Sequence, residues 1–235
     1  FGPIKGLYYS VLFFYILGFV GCYFICRHLR LSYLATLYLA IAFTFSSYVM
    51  NNLFVGASTW MMFGFIPFAF YFLLKAKEDW RYGIATGFFH AMLYLGGAIY
   101  PYMFFILFAG IFAASDIIAN RNLKYAKGIA AFLVFSLLFA SIKILPNLDL
   151  YAVNVREGGI EKIPFGFDLL KKAFFDKQQA WNVISAFTYK GKNFHFPYYG
   201  MYIGLIPIIL SIAGIIFSAG RLKWALAVFG TFLIY

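Results

Sequence analysis

Long apolar stretches that charged residues rarely interrupt are the feature of this sequence that most limits its fold. Charged residues make up 11% of the chain and the hydrophobic set AVILMFWYC makes up 64%, whereas soluble domains carry roughly 25% charged residues. A water-soluble fold would leave apolar side chains over its whole surface. Apolar helices satisfy their backbone groups internally and are stable in lipid. The sequence therefore predicts an all-α, multi-pass integral membrane protein.

Eight segments are apolar enough to cross a bilayer wholly or in part, since a spanning helix needs about 20 mostly apolar residues. They are 7–26, 31–50, 59–74, 82–98, 102–119, 128–146, 199–219 and 223–235. Residues 82–119 are too many for one crossing, and Gly96, Gly97 and Pro101 supply a turn, so we divide this stretch into a hairpin. We expect one transmembrane bundle domain over 1–235. Because the chain opens on Phe1 and stops inside an apolar run, we expect an internal fragment of a longer protein.

Basic clusters fall on every second connection between these segments, and the intervening short connections, 51–58 and 97–101, carry no charge. The clusters are Arg27 and Arg30; Lys75, Lys77 and Arg81; Arg121, Lys124 and Lys127; and Arg221 and Lys223. The positive-inside rule places such connections in the cytoplasm. The long connection 147–198 also contains basic residues, but long loops translocate largely regardless of charge. The net charge of +11 is therefore interpreted as topology and contact with anionic membrane lipid, and no nucleic-acid partner is expected.

Residues 147–198 form a connection of about 52 residues that this topology places outside the cytoplasm. Within it, 164–179 carries apolar residues at helical spacing opposite lysines. We expect a short amphipathic helix on the outer membrane face, with Trp181 as an interfacial anchor. The alternative is that this helix packs over the bundle.

Polar residues gather at the outer end of the sixth segment. Lys143 and Arg156 are candidates to bind a lipid phosphate by charge-assisted hydrogen bonds. Asp149 or Glu157 is the candidate catalytic base on an acceptor hydroxyl. The alternative is that Lys143 extends to the membrane interface and pairs with Asp149.

Two histidines and a tyrosine are candidates to contact a sugar or an acceptor. His90 lies near the middle of its segment and is expected to face the bundle interior, where the alternative is a hydrogen bond to a neighbouring helix. His195 and Tyr198 lie in a basic, aromatic entry to the seventh segment, where the alternative is an interfacial aromatic belt. The sequence contains no HExxH motif, paired CxxC motif or Walker loop, so no metal-ligating residue and no definite cofactor is predicted.

Several blocks of the sequence, in order and over nearly the whole chain, resemble the YfhO-type bacterial membrane proteins, which are related to the GT-C superfamily of polytopic glycosyltransferases. The blocks are GCYFICRHLRLSYLATLYLAIAFTFSSYVM, WMMFGFIPFAFYFLL, LGGAIYPYMFFILFAGIF, SIKILPNLDLYAVNVREGG and YYGMYIGLIPIILSIAGI. The resemblance implies a GT-C-like bundle in a bacterial inner or plasma membrane of the cell envelope. It also implies a polyprenyl-phosphate sugar donor and transfer on the outer side.

This resemblance also implies which catalytic parts lie elsewhere. The family's acidic residue would precede Phe1, and ligands of any divalent metal would lie outside this fragment. The family's Gly-His-type step reads Val55-Gly56-Ala57-Ser58 here, without histidine, so no residue is carried over at that point.

Two functions follow from these observations. The first is a membrane glycosyltransferase that moves a sugar from a polyprenyl phosphate to a lipid, glycan or protein acceptor outside the cytoplasm. The alternative is a non-catalytic GT-C-like scaffold subunit with partners in a membrane complex. A transporter ranks last, because the sequence shows no paired broken helices in two halves.

Overall fold

Helices that run back and forth make up nearly all of the described structure. The computed structural model describes residues 2–46, 49, 53, 58–120, 124–153, 187–189, 192–194, 209 and 213. Its helices are α1 (Pro3–His28), α2 (Tyr33–Thr44), α3 (Ile66–Lys75), α4 (Arg81–Leu95), α5 (Ile99–Asn120) and α6 (Lys124–Val153), with a 3₁₀ helix over Ser58–Phe65 that leads into α3.

The predicted multi-pass architecture is confirmed in its coarse form. Within the described residues, four helical segments are long and apolar enough to cross a membrane: Lys5–His28, Ser58–Lys75, Ile99–Ile118 and Tyr125–Leu148. The expected count of eight is not reached there, because α2 has 12 residues and α4 has 15, which is shorter than the roughly 20 that a straight crossing needs. The predicted spans 199–219 and 223–235 lie outside the described residues, except for positions 209 and 213.

The turn between α4 and α5 confirms that residues 82–119 form a hairpin. Gly96 ends α4, and Gly97 has a φ of 90°. That left-handed conformation favours glycine because a side chain would clash with the backbone. The Ala98 N–H donates to the Leu93 carbonyl at 2.8 Å and closes the turn.

Contacts at one end of the bundle bring basic connections together. The His28 ring, at the end of α1, lies 6.0 Å from the Tyr71 ring of α3. Lys77, just after α3, pairs with Asp116 near the end of α5 at 2.8 Å. The Tyr125 hydroxyl, at the start of α6, donates to the α3 carbonyl of Leu73 at 3.0 Å. We call this the basic end.

Contacts at the opposite end include the α4–α5 turn, and we call it the hairpin end. A side chain at Gly97 would meet Thr59 at the start of the 3₁₀ helix. The Lys143 ammonium, in the second half of α6, donates to the Leu95 carbonyl at 3.0 Å. Consecutive segments therefore run in opposite directions, which is the alternation that the basic clusters predicted. The assignment of the basic end to the cytoplasm stays a prediction.

Helix α4 lies at the centre of the described bundle and contacts α3, α5 and α6. The main apolar core lies between these helices, towards the basic end. Its buried members are Ala69, Leu73, Ala76, Phe105, Ala109, Phe112, Ala113, Tyr125 and Phe132.

The connection 147–198 contains two short strands that the all-α prediction did not include. Strand β1 (Phe187–Tyr189) pairs antiparallel with β2 (Lys192–Phe194), with Thr188 opposite Asn193. Only two residues, Lys190 and Gly191, separate the strands in the sequence, and a two-residue connection that contains glycine is typical of a hairpin. Helix α6 also continues to Val153, past the predicted end at 146. The predicted amphipathic helix 164–179 and Trp181 lie outside the described residues.

Candidate functional site

Lys143, one of the residues predicted for the outer site, lies at the hairpin end of the bundle. Its ammonium donates to the carbonyl oxygens of Leu95 at 3.0 Å and Tyr94 at 3.4 Å. It also lies 6.0 Å from the centre of the Tyr94 ring. These contacts join the last turn of α4 to α6, so the charge is held in place by backbone groups.

The position of this ammonium follows from the end of α4. The last four carbonyls of a helix lack partners within the helix and carry a partial negative charge. A cation placed there satisfies the carbonyls and interacts favourably with the helix dipole. An ammonium has three N–H donors, and within the described part of the chain two of them have acceptors, Leu95 and Tyr94. The third has no acceptor among the described residues.

The other predicted members of the outer site are described less fully or fall outside the described part. The backbone of Asp149 belongs to α6, and its side chain is not described. Arg156, Glu157, His195 and Tyr198 lie outside the described residues. The proposed phosphate pair, the proposed base and the predicted sugar contacts at 195 and 198 therefore stay predictions.

A second polar cluster lies in the bundle interior, where sequence analysis identified only one of its three members. His90 of α4 is fully buried. Its Nδ1 lies 2.7 Å from Ser136 Oγ of α6, and its Nε2 lies 2.8 Å from the Tyr102 carbonyl oxygen of α5. The Tyr102 hydroxyl lies 3.3 Å from Ser136 Oγ. Three helices are thus linked by one network, which we call the His90 network.

The hydrogen-bond acceptors determine which atoms of the His90 network carry protons. A carbonyl only accepts, so the Nε2–H of His90 donates to the Tyr102 carbonyl. In the neutral ring, Nδ1 then accepts from the Ser136 hydroxyl. Ser136 Oγ in turn accepts from the Tyr102 hydroxyl. Every polar group of these three side chains has a partner, which is what a low-dielectric interior requires.

Both ring nitrogens of His90 therefore bind protein groups. The Tyr102 ring also stacks on the imidazole with centroids 4.0 Å apart. This is the hydrogen-bonded alternative that the sequence left open for His90. Contact of His90 with a sugar or acceptor stays a prediction, and it would require these bonds to be exchanged. Ser136 could have been identified from the sequence, because a small polar residue within an apolar span is typical of helix contacts in membranes.

A third set of polar contacts lies at the basic end and consists of an ion pair and a contact between a cation and an aromatic ring. The Asp116 carboxylate is 4% exposed and pairs with Lys77. The Lys75 ammonium lies 4.7 Å from the centre of the Tyr82 ring. These contacts connect α3, α4 and α5 where the chain leaves the apolar region.

No metal centre is formed among the residues that the structure describes. Groups of three or more His, Cys, Asp or Glu side chains close enough to hold an ion are absent there. Cys22 and Cys26 are buried free thiols one turn apart on α1.

Comparison of the chain with protein-family models, curated proteins and solved structures found no match.

Proposed function

We propose that this chain forms the central part of a GT-C-like membrane glycosyltransferase that takes a sugar from a polyprenyl phosphate on the outer side of the membrane. The observation that supports this most directly is the Lys143 ammonium, held at the hairpin end by the carbonyls of Leu95 and Tyr94. A cation fixed near a membrane boundary suits a lipid-linked phosphate, which carries its charge at that depth. The YfhO-type resemblance supplies the reaction class.

In this proposal the third N–H of Lys143 donates to a phosphate oxygen of the donor. Arg156 provides a second, bidentate contact to the same group. Asp149 or Glu157 accepts the proton of the acceptor hydroxyl as its oxygen bonds to the anomeric carbon of the sugar. The bond from that carbon to the phosphate oxygen breaks, and the polyprenyl phosphate leaves with the electron pair. Lys143 and Arg156 stabilise the charge that develops on it.

The test is sugar transfer from polyprenyl-phosphate sugars by the full-length protein in membranes. Replacing one charged partner of a phosphate costs about 1.5–3 kcal/mol, so Lys143→Met and Arg156→Ala should each reduce transfer roughly tenfold or more. Lys143→Arg keeps the charge and should retain most activity. Lys5→Ala is the matched control, because Lys5 is an exposed cation near the start of α1, which runs from the hairpin end. Equal transfer by wild type, Lys143→Met and Arg156→Ala would exclude the proposed site.

A non-catalytic scaffold is the second candidate, and the His90 network favours it. Its side chains satisfy one another's hydrogen-bonding groups and join α4, α5 and α6. Such a network stabilises the bundle and leaves none of these side chains free to react. A scaffold predicts no transfer by the wild-type protein with any polyprenyl-phosphate sugar. It also predicts that Lys143→Met changes only the stability of the bundle.

A further inference from the structure

A groove on the outside of the bundle, at the basic end, has features of a lipid-binding site. It has a volume of about 500 Å³ and is lined by Trp80, Lys127, Ala130, Ala131, Val134 and Phe135. We propose that this groove binds one phospholipid with an anionic headgroup, with the headgroup on Lys127 and an acyl chain over Ala130 and Val134. This proposal is independent of sugar transfer.

The groove follows from how α4 meets α6. Gly83 of α4 lies directly against the backbone of Gly128 of α6, so closely that a side chain at Gly83 would collide with the Gly128 carbonyl. Trp80, three residues before Gly83, and Lys127, one residue before Gly128, therefore come to the same end of the helix pair. The small Ala130 and Ala131 that follow on α6 leave space beneath them.

One helix face forms the apolar part of the groove. Lys127, Ala130 and Val134 recur at spacings of three and four residues, so they lie on one face of α6. All three are exposed, Val134 to 61%. In a membrane such a face contacts lipid chains, and the cation at its end lies at headgroup depth.

The headgroup chemistry follows from the charges that surround Lys127. Two lysines near the end of α3 have protein contacts, since Lys77 pairs with Asp116 and Lys75 lies over the rings of Tyr71 and Tyr82. Within the described part of the chain, Lys127 makes no such pair and lies exposed. Trp80 is 47% exposed, and tryptophan prefers the membrane interface. An exposed lysine beside an interfacial indole complements an anionic headgroup, and the predicted cytoplasmic location of the basic end is where anionic lipids are abundant.

The experiment uses Trp80 as the reporter. The full chain in micelles is titrated with phosphatidylglycerol or phosphatidylcholine, each with brominated acyl chains that quench tryptophan fluorescence. The quenching due to Trp80 is obtained by subtracting the fluorescence loss of Trp80→Phe from that of wild type. Brominated phosphatidylglycerol should quench Trp80 at an about fivefold lower lipid fraction, equivalent to the roughly 1 kcal/mol that a cation contributes near an anionic surface. Lys127→Ala should remove this preference, and Lys127→Arg should keep it.

Two further variants separate a bound lipid from general attraction. Arg27→Ala removes an exposed charge at the same end but outside the groove, so the fivefold preference should persist. Ala130→Phe fills the groove and should weaken quenching by both lipids. Equal quenching of wild type by the two lipids, or an equal loss of preference in Arg27→Ala, would overturn the proposal. Absence of Trp80 quenching would also overturn it, because another part of the chain or a second copy would then cover the groove.

Discussion

The α4–α6 pair and the α1–α2 pair belong to one bundle but are packed by different means. Between α4 and α6, Gly83 and Gly87 bring the two backbones into contact, and the His90 network crosses the interface. Around α1 and α2, large apolar side chains face outward. Tyr33 and Leu34 are 80% and 77% exposed, and the buried hydroxyl of Thr44 has no hydrogen-bond partner among the described residues.

This difference shows which forces hold the bundle together. Lipid chains are as apolar as leucine, so burying apolar side chains between helices gains little in a membrane. Close backbone approach and interhelical hydrogen bonds remain as the main attractive terms. The α4–α6 pair has both, whereas α1 and α2 leave many large apolar side chains exposed. We therefore expect substitutions between α4 and α6 to have the largest effects.

Gly83→Ala is expected to have the largest effect on the α4–α6 pair. The new methyl group would overlap the backbone carbonyl of Gly128, which cannot move without shifting α6. Overpacking of this kind lowers the free energy of unfolding by about 1–3 kcal/mol. Unfolding in mixed micelles, followed by circular dichroism, measures the change.

Gly110→Ala is the control for this prediction. Gly110 lies on α5, and a Cβ there would meet nothing within 4 Å. Alanine favours a helix over glycine by up to about 1 kcal/mol, so this variant should be as stable as wild type or more stable. If the two variants lose the same stability, backbone contact between α4 and α6 is not what holds the pair.

The next effect is expected for Ser136→Ala in the His90 network. This change leaves His90 Nδ1 and the Tyr102 hydroxyl without their partner in the bundle interior. Interhelical hydrogen bonds in membranes contribute about 0.6 kcal/mol on average and up to roughly 1.7, and this serine makes two contacts. A loss of about 1 to 2 kcal/mol in the same unfolding measurement is expected.

Ser141→Ala is the matched control on the same helix. Its hydroxyl bonds the Leu138 carbonyl within α6 at 2.6 Å, so its removal breaks no contact between helices and should change stability by less than about 0.5 kcal/mol. Equal losses in both variants would mean that the His90 network does not join the helices energetically.

Local signals predicted the hairpin turn and the alternating direction of the described segments. Gly96, Gly97 and Pro101 indicated a turn because their backbone preferences are intrinsic to the residues. Alternate basic connections indicated alternating helices because charge acts on each connection separately. Both features depend on residues close together in the chain.

Features that depend on distant residues were not predictable in the same way. The partners of His90 are 12 and 46 residues away, and those of Lys143 are 48 and 49 residues away. The early end of α2 at Thr44 was missed because residues 45–50 contain no charged residue, proline or glycine that would indicate a helix end. Hydropathy measures suitability for lipid and does not determine where a helix stops.

Lys143→Met tests whether the contact of a cation with helix carbonyls also stabilises the α4–α6 pair at the hairpin end. The methionine keeps the length of the side chain but removes the donors that bind the carbonyls of Tyr94 and Leu95. A cation at a helix C-terminus contributes about 0.3–1 kcal/mol, or up to roughly 2 when partly buried, so we expect a loss of about 1 kcal/mol. Lys143→Arg should recover most of it. Wild-type stability of Lys143→Met would mean that Lys143 does not stabilise the α4–α6 contact.

Thr44→Val is expected to have the smallest effect, and it is the one change that should stabilise the bundle. The Thr44 hydroxyl is buried, and in the part of the chain that the structure describes it has no partner. It lies beside a cavity of about 20 Å³, whose lining includes Phe14, Phe43 and Met61. Valine has nearly the same shape and no polar group to leave unsatisfied, so the free energy of unfolding should rise by about 0.5 kcal/mol. Thr86→Val is the matched control, since the buried Thr86 hydroxyl donates to the Tyr82 carbonyl at 3.0 Å. That variant should lose stability or leave it unchanged.

A loss in Thr44→Val as large as in Thr86→Val would show that the Thr44 hydroxyl has a hydrogen-bond partner in the membrane. A water molecule is one such partner, since the cavity is large enough to hold one. The contrast between the α1–α2 and α4–α6 regions would then concern backbone approach alone.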